Sequence, residues 1–221
     1  MTLVVKICGL STPETLDVAL DAGADLVGFV FFPPSPRNLD MATARALGRR
    51  VAGRAGKVAL AVDPNDALLA GIVEALDPDI LQLHGREPPE RVTAVRSRFG
   101  LPVMKALPVA EAADLAAVAV YAGVADRLLF DARAPREANR PGGLGQPFDW
   151  RLLLENLDPG MQFMLSGGLD PDNVATALAV TRAPAVDVSS GVERAPGVKD
   201  ADKIRAFVRA AREAANVANP V

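Results

Sequence analysis

The chain has 221 residues, of which 50% are hydrophobic and 23% are charged, which is ample for one sizeable core and short for two. Its formal net charge of -3 gives no electrostatic reason to expect a nucleic-acid partner. No apolar run is long enough to cross a bilayer, no basic segment precedes an apolar core at the N-terminus, and one cysteine cannot form an internal disulfide. We therefore expect one domain over residues 1–221 in a reducing, cytoplasmic setting, with neither a membrane nor a nucleic-acid partner.

Strand and helix signals alternate from one end of the chain to the other. Short apolar, β-branched runs predict strands at residues 4–8, 25–31, 57–62, 80–85, 102–106, 127–131, 162–166 and 185–189. Helical patterns with capping residues or proline at their start predict helices at 13–21, 41–53, 63–76, 88–99 and 109–121, from about 148, from about 171, and at 199–214. Residues 132–147 are predicted to form a long irregular loop, and residues 215–221 an irregular tail.

This alternation predicts an α/β protein built as a single (β/α)8 TIM barrel, because eight strand-then-helix units follow one another in a short chain. Right-handed crossovers place all the loops that follow the strands on one rim. The alternative is a doubly wound open sheet. That alternative is less favoured because no GxGxxG pattern follows the first strand.

Two reactive side chains end strands of this predicted barrel. Cys8, the only cysteine, ends the first strand, and Asp131 ends the sixth. In a closed barrel these strands are separated only by the seventh and eighth, so both side chains reach the rim where TIM barrels keep their chemistry. We interpret Cys8 as a general base and Asp131 as a general acid. The alternatives are that Cys8 is a small buried apolar residue and that Asp131 caps a helix or lies in a loop.

Two glycine-bearing loops follow the seventh and eighth strands. They carry Gly167 and Gly168 in the first loop, and Ser190 and Gly191 in the second. Glycine lets backbone N–H groups approach an anion closely, and these two loops are where TIM barrels often bind phosphate. The pair predicts a small phosphorylated substrate. Alternatively, the glycines only form tight turns between strand and helix.

Two charged residues are predicted to face each other inside the barrel. Lys6 lies two residues before Cys8, and Asp187 lies two residues before Ser189 on the neighbouring strand. An unpaired charge in that position would be very unfavourable. We therefore expect a buried, structural ion pair, with Gln82 beside it.

Two further side chains are predicted to lie on the same rim. Arg37 follows the second strand in a proline-rich loop, where a guanidinium group could bind a carboxylate through two hydrogen bonds or simply remain solvated. His84, the only histidine, ends the fourth strand, and we expect it to order the site and contact the substrate. No set of histidine and cysteine ligands accompanies it, so the sequence does not support a transition-metal site.

A series of short motifs runs along essentially the whole chain. In this order they resemble those of the phosphoribosylanthranilate isomerase family of tryptophan biosynthesis. The motifs are Lys6-Ile7-Cys8-Gly9, Gly28-Phe29-Val30-Phe31, Ser35-Pro36-Arg37, Gln82-Leu83-His84-Gly85, Phe130-Asp131, Gly142-Gly143-Leu144-Gly145, Phe148-Asp149-Trp150, Ser166-Gly167-Gly168-Leu169-Asp170-Pro171-Asp172-Asn173-Val174, Val186-Asp187-Val188-Ser189-Ser190-Gly191-Val192-Glu193 and Gly197-Val198-Lys199-Asp200.

The resemblance implies an Amadori rearrangement on a (β/α)8 barrel, without a cofactor or a metal. Asp131 would protonate the ribose ring oxygen of N-(5-phosphoribosyl)anthranilate and open the ring to a Schiff base. Cys8 would then remove the proton from C2 of the sugar. Arg37 matches the family arginine that binds the anthranilate carboxylate, and the two glycine loops match its phosphate site. The resemblance also implies a monomer, since members of this family are commonly monomers.

One loop departs from the family pattern. The resemblance places Gly143 and Gly145 in the substrate-binding loop after the sixth strand, but this chain has Leu144 where the family usually has a small hydroxyl residue. Leucine removes a possible hydrogen bond and adds bulk. The departure puts substrate affinity and loop closure in question, but it leaves the acid–base chemistry unaffected.

Two other functions remain as alternatives. One is a related aminoaldose isomerase of histidine biosynthesis, which resembles a two-aspartate design, whereas the first strand here ends in Cys8. The other is a catalytically silent barrel that only binds a phosphorylated ligand. Conversion of the fluorescent substrate phosphoribosylanthranilate discriminates between these alternatives.

Overall fold

The predicted barrel is confirmed in a computed structural model, which describes residues 2–135, 137–138, 140–143, 145, 147–158 and 160–218. Eight parallel strands pair in chain order, and the eighth pairs with the first to close the barrel. The strands are β1 (Val4–Cys8), β2 (Leu26–Phe31), β3 (Gly56–Ala61), β4 (Ile80–Leu83), β5 (Val103–Val109), β6 (Arg127–Ala132), β7 (Phe163–Leu165) and β8 (Ala185–Val188).

Helices follow the strands and cover the outside of the barrel. They are α1 (Pro13–Asp21), α2 (Met41–Val51), α3 (Asp66–Leu76), α4 (Pro89–Phe99), α5 (Ala117–Tyr121), α6 (Arg151–Asn156), α7 (Val174–Thr181) and α8 (Ala201–Ala218). Three of them begin with an N-cap side chain that accepts a hydrogen bond from the first turn: Thr12, Asp40 and Asn65. No helix within the described ranges combines the length and the apolar character that a membrane span requires.

Alternation of side chains along the strands divides the core into an outer and an inner part. Val5 and Ile7 point outward into the large apolar cluster between strands and helices. Inside the barrel, a smaller apolar cluster is built from residues such as Leu26, Ile80 and Met104, near the amino ends of the strands. The opposite ends of the strands are therefore left for polar groups, which positions the site at the carboxyl rim.

The expected ion pair lies inside the barrel. Lys6 and Asp187 are register partners on β1 and β8, and Lys6 Nζ donates to Asp187 Oδ1 over 2.9 Å, with both side chains buried. Ser166 Oγ donates to the other carboxylate oxygen over 3.2 Å. Gln82, expected beside this pair, forms no hydrogen bond with it in the described part of the chain, and its amide nitrogen contacts His84 Nδ1 at 3.1 Å.

The predicted helix at 109–121 is wrong in its first half. β5 continues to Val109, and a 3-10 turn (Ala112–Ala116) precedes the short helix α5. The carboxylate of Asp114 accepts hydrogen bonds from the backbone N–H groups of Ala110 and Glu111, which stabilises a tight turn in place of a regular helix. Alanine content alone therefore overestimated the length of this helix.

Three differences occur in the last third of the chain. α6 begins at Arg151, a few residues later than predicted. The predicted loop after β8 contains a 3-10 turn (Ser190–Val192) and a two-stranded antiparallel hairpin, β9 (Glu193–Ala195) and β10 (Val198–Lys199). The tail predicted to be irregular from residue 215 is helical to Ala218, because its alanines extend α8. Residues 219–221 lie outside the described ranges.

We predict that Lys6→Met destabilises the fold strongly, because it leaves the Asp187 carboxylate buried without its cation. Loss of one partner of a buried pair costs about 3–5 kcal/mol. The free energy of unfolding, measured by urea denaturation, should fall by this order. The double variant Lys6→Met/Asp187→Asn should lose less, and Arg205→Met, which breaks the exposed pair with Asp202, should change little. An unchanged stability in Lys6→Met would contradict the role assigned to the pair.

Candidate active site

Residues from distant parts of the chain line one cavity at the carboxyl rim of the barrel. Its volume is about 80 Å³. Nine of the ten predicted site residues line it: Cys8, Arg37, His84, Asp131, Gly143, Gly145, Gly167, Gly168 and Ser190. The tenth, Gly191, packs against the loop after β7, where a Cβ atom on it would collide with the carbonyl oxygen of Leu169. The residues that the sequence analysis assigned to one site therefore lie close together in the structure.

The thiol of Cys8 is buried beside a glycine on the neighbouring strand. Cys8 pairs with Gly28 in register, and a Cβ atom at Gly28 would lie 2.8 Å from the sulfur atom. Val30 and Leu60 form the apolar surroundings of the thiol. Only glycine at position 28 therefore leaves the sulfur atom in its present position, pointing into the cavity.

Burial raises the pKa of Cys8 above its ordinary value, because the thiolate loses water. The positive charge of Lys6 opposes this effect most strongly, and that of Lys199 adds to the opposition, while the Asp187 carboxylate reinforces the rise. Burial alone would lower the pKa of Lys6, but Asp187 and Cys8 outweigh it and leave that pKa raised. Lys6 therefore stays protonated next to the thiol.

The carboxyl group of Asp131 is held by two donors at the end of β6. Oδ1 accepts from the backbone N–H of Ala132 at 3.0 Å, and Oδ2 lies 3.1 Å from His84 Nε2. Since the Gln82 amide nitrogen donates to His84 Nδ1, the assigned network puts the imidazole proton on Nε2, facing Asp131. His84 thus orients the carboxyl group, as a residue that orders the site is expected to do.

Arg37 is buried and already has an anionic partner in the protein. Its Nε and Nη2 atoms donate to the two carboxylate oxygens of Glu193 at 2.7 and 2.8 Å. Nη2 also donates to the carbonyl oxygen of Gly143, at 3.4 Å. The alternative of a solvated loop arginine is therefore wrong, because the side chain is only 4% exposed.

The glycine loops after β7 and β8 present unused backbone donors to the cavity. Within the described part of the chain, the N–H groups of Gly167, Gly168, Ser190 and Gly191 donate to no protein acceptor. Asn173 braces the first loop, because its amide nitrogen donates to Gly168 O over 2.8 Å. Such a group of free backbone N–H donors in two neighbouring glycine turns is suited to an anion.

A second cavity, of about 480 Å³, adjoins the first. It shares His84 and Asp131 with the first cavity and extends along the loops after β3 and β4 and the end of β5, past Arg86 and Pro108. The described residues include no group of three or more histidine, cysteine or acidic side chains suited to a metal ion.

Leu144 is the residue at which the loop after β6 departs from the family pattern. It lies outside the described residues.

Sequence reasoning assigned no role to three residues that shape the site. Gly28 gives space to the thiol, Glu193 pairs with Arg37, and Lys199 pairs with Glu193. The sequence did carry one signal for Glu193 and Lys199. They lie on two short segments on either side of Gly197, a pattern typical of a hairpin. Its side-chain partners are far away in the chain, so the pattern alone could not reveal them.

Comparisons with known proteins show what this chain resembles. The family model described as N-(5'phosphoribosyl)anthranilate (PRA) isomerase matches residues 5–210. The N-(5'-phosphoribosyl)anthranilate isomerase of Nitrobacter hamburgensis is 66% identical over 214 residues, covering 97% of this chain and 95% of the relative. The protein of the same name from Bradyrhizobium diazoefficiens is 66% identical over 212 residues, covering 96% and 95%.

Solved structures give the same result. The phosphoribosyl anthranilate isomerase of Thermotoga maritima superposes with a TM-score of 0.86 at 35% identity, covering 96% of this chain and all of that one (100%). A phosphoribosyl anthranilate isomerase in complex with reduced 1-(o-carboxyphenylamino)-1-deoxyribulose 5-phosphate superposes with a TM-score of 0.83 at 33% identity, covering 96% and 100%.

A closed barrel with reactive side chains and glycine turns at its carboxyl rim defines the class of TIM-barrel enzymes that act on phosphorylated substrates. Within that class, the match over most of the length identifies the member. The chain belongs to the N-(5'-phosphoribosyl)anthranilate isomerase family, the isomerases of tryptophan biosynthesis.

We predict that the Cys8 thiol titrates above the ordinary value of about 8.5, because burial disfavours the thiolate. The rate of alkylation as a function of pH reports this pKa without interference, since Cys8 is the only cysteine. Lys199→Met should raise the pKa further, because the Lys199 charge lowers it. Lys57→Met, at the opposite end of β3, serves as the control and should not move it. A thiol that titrates at or below the ordinary value would contradict this interpretation.

Proposed function

We propose that Asp131 and Cys8 catalyse the Amadori rearrangement of N-(5'-phosphoribosyl)anthranilate as general acid and general base. The observation that carries the proposal is that both groups line one cavity, together with the two glycine turns. A sugar whose phosphate is bound at those turns would expose its ring oxygen to the carboxyl group and its C2 to the thiol.

Two proton transfers by these side chains lead to an enolamine, and a final tautomerisation completes the reaction. Asp131 donates a proton to the furanose ring oxygen, the bond from C1 to that oxygen breaks, and the nitrogen lone pair forms the Schiff base. The Cys8 thiolate then takes the proton from C2, the electrons of that C–H bond form the C1–C2 double bond, and the π electrons of the C=N bond return to nitrogen to give an enolamine. Tautomerisation yields 1-(2-carboxyphenylamino)-1-deoxyribulose 5-phosphate. Each proton transfer, correctly positioned, contributes about 10²–10⁴-fold.

The base must be ionised to act. Because burial raises the pKa of Cys8, the reactive thiolate is a minor species at neutral pH, and the rate is expected to increase as the pH approaches that pKa. Lys6 and Lys199 favour the thiolate through their charges. The substrate phosphate acts in the opposite direction, so the two lysines are important for retaining a usable base.

The remaining residues bind the substrate. The N–H groups of Gly167, Gly168, Ser190 and Gly191 are suited to the phosphate, while His84 holds Asp131 in place. Arg37 binds the carboxylate of the anthranilate ring. The ring itself packs against the apolar wall of the cavity, which is formed by Val30, Phe32, Leu60 and Val62.

We propose that the loop after β6 moves when the substrate binds. A cavity of about 80 Å³ is smaller than typical ligand sites of about 300–1,000 Å³. Gly142 packs directly on the Asp131 carboxyl group, and the Gly143 carbonyl oxygen occupies one N–H group of Arg37. A substrate carboxylate would replace that carbonyl oxygen, so binding and loop displacement are coupled, and Gly143 and Gly145 contact the substrate after the loop rearranges.

We also propose that the protein is a cytoplasmic monomer of one domain. Among the described residues, the large apolar side chains that remain exposed lie on four different elements: Val120, Leu154, Val198 and Val217. Scattered single residues of this kind do not form the contiguous patch typical of a subunit interface. The single free cysteine is typical of a reducing compartment.

We predict that Cys8→Ser and Asp131→Asn each reduce kcat by about 10²–10⁴-fold, because each removes one proton-transfer group and keeps its size. The loss of substrate fluorescence measures turnover. Both variants should melt near the wild-type temperature and still bind the reduced product, which shows that the fold and the binding site persist. Substantial turnover in either variant would exclude its assigned role, and a wild-type protein without turnover would favour the silent barrel.

We predict that Gly28→Ala lowers kcat, because its methyl group would displace the Cys8 sulfur atom, 2.8 Å from the new Cβ position. The matched control is Gly71→Ala on α3, where the nearest atom is 3.7 Å away and the helix gains up to about 1 kcal/mol. Turnover and melting temperature are measured for both variants. Equal turnover in the two variants would show that the position of the sulfur atom does not depend on Gly28.

A further inference from the structure

The hairpin β9–β10 is an addition to the barrel, between β8 and α8, and it carries two buried charges. Glu193 begins the hairpin and Lys199 ends it, and their side chains are 4% and 1% exposed. Lys199 Nζ donates to Glu193 Oε1 over 2.8 Å. A hairpin of five strand residues has little apolar surface to bury, so its charged side chains call for a functional explanation.

The Glu193 carboxylate is fully occupied by four donors. Oε1 accepts from Arg37 Nε and Lys199 Nζ, at 2.7 and 2.8 Å. Oε2 accepts from Arg37 Nη2 at 2.8 Å and from the backbone N–H of Gly197 at 3.1 Å. These hydrogen bonds and the charges of Arg37 and Lys199 outweigh the effect of burial and hold the pKa of Glu193 below its ordinary value. These four donors therefore favour the ionised form of the side chain and hold it in one orientation.

This occupancy determines which edge of the Arg37 guanidinium group remains for a ligand. Nε and one N–H of Nη2 are used by Glu193, and the other N–H of Nη2 points to Gly143 O. Nη1 donates to no acceptor in the described part of the chain. The edge formed by Nη1 and Nη2 is thus the one that can receive a carboxylate through two parallel hydrogen bonds.

Burial lowers the pKa of Lys199, while the charge of Glu193 and the hydrogen bond to it oppose this effect; in its protonated form Lys199 compensates for the charge of Glu193. Arg37 and Glu193 alone would form a neutral pair with little attraction for another anion, whereas the third group brings the sum to one positive charge. Lys199 Nζ also donates to the carbonyl oxygen of Ser189 over 2.8 Å, immediately before the glycine turn after β8. The hairpin therefore connects the predicted carboxylate and phosphate ends of the site.

Close packing holds the arginine between the hairpin and β1. Gly197 has a φ of +80°, and a Cβ atom there would lie 2.6 Å from Pro36 O, so the turn of the hairpin touches the loop that carries Arg37. On the other side, a Cβ atom at Gly9 would collide with Cδ of Arg37. The long side chain is thereby fixed before any ligand arrives, which reduces the entropy that binding would otherwise lose.

From this geometry we propose that Glu193 is a positioning residue that gives the enzyme its selectivity for a substrate with an acidic group on the aromatic amine. It acts through Arg37, whose Nη1–Nη2 edge it aims into the cavity. This inference rests on the proposed role of Arg37 in binding the substrate carboxylate.

The test measures the preference for a carboxylate directly. Calorimetry gives the dissociation constants of reduced 1-(o-carboxyphenylamino)-1-deoxyribulose 5-phosphate and of the matching phenylamino compound without the carboxyl group. Glu193→Gln is expected to reduce the preference for the carboxylated compound by about ten- to hundredfold, the range for hydrogen bonds to charged groups. Binding of the other compound should be nearly unchanged, and KM should increase more than kcat decreases.

Glu87→Gln is the matched control, because Glu87 is an equally buried carboxylate that pairs with Lys105 at 2.9 Å on the same rim. It should lower the melting temperature without altering the preference. If Glu193→Gln does not fold, Glu193→Asp is measured in its place, since its shorter side chain keeps the charge but reaches fewer of the four donors.

The outcomes separate this inference from the proposed function. A wild-type protein that does not prefer the carboxylated compound, or an Arg37→Met variant that retains the preference, refutes the role of Arg37. Loss of the preference in Arg37→Met together with an equal or stronger preference in Glu193→Gln refutes the role of Glu193 alone, because Glu193 would then compete with the ligand for Arg37.

Discussion

The buried ion pair between Lys6 and Asp187 is the contact on which the arrangement of the site depends. It lies inside the seam where β8 pairs with β1 and closes the barrel. A buried charge without a partner is very unfavourable, so the pair favours the one alignment in which these two side chains meet. Two residues further along the same strands come Cys8 and Ser189. Closure of the barrel therefore places the thiol beside the loop that offers its backbone donors to an anion.

The charged groups at the rim also influence one another. Burial among Val30 and Leu60 raises the pKa of Cys8, and the nearby lysines counteract that effect. Lys199 serves two purposes, since its charge acts on the thiol and also compensates for Glu193 next to the arginine. In the proposed mechanism a buried sulfur atom ionises next to a bound phosphate and a bound carboxylate, and an excess of positive charge favours both events. Buried lysines provide that charge where solvent does not screen it.

How much could be predicted from the sequence differs from element to element. The strand that ends at Cys8 and the helix that starts after Thr12 were predicted closely, because β-branched runs and capping residues act locally. The 3-10 turn at Ala112–Ala116 was missed, because one aspartate side chain competes with helical hydrogen bonds there. The hairpin β9–β10 was missed because its strands have three and two residues, too few for a periodic pattern.

The sequence by itself determined the order of strands and helices, the closed barrel, the rim position of Cys8 and Asp131, and the family. These follow from local patterns and from motifs that recur in a fixed order. Only the tertiary structure decided that Arg37 meets Glu193, 156 residues away, that Gln82 turns to His84, and that Gly28 gives space to the thiol. The physical reason is that side-chain partners depend on which strands become neighbours and on how tightly they pack, and neither is encoded in a short stretch of chain.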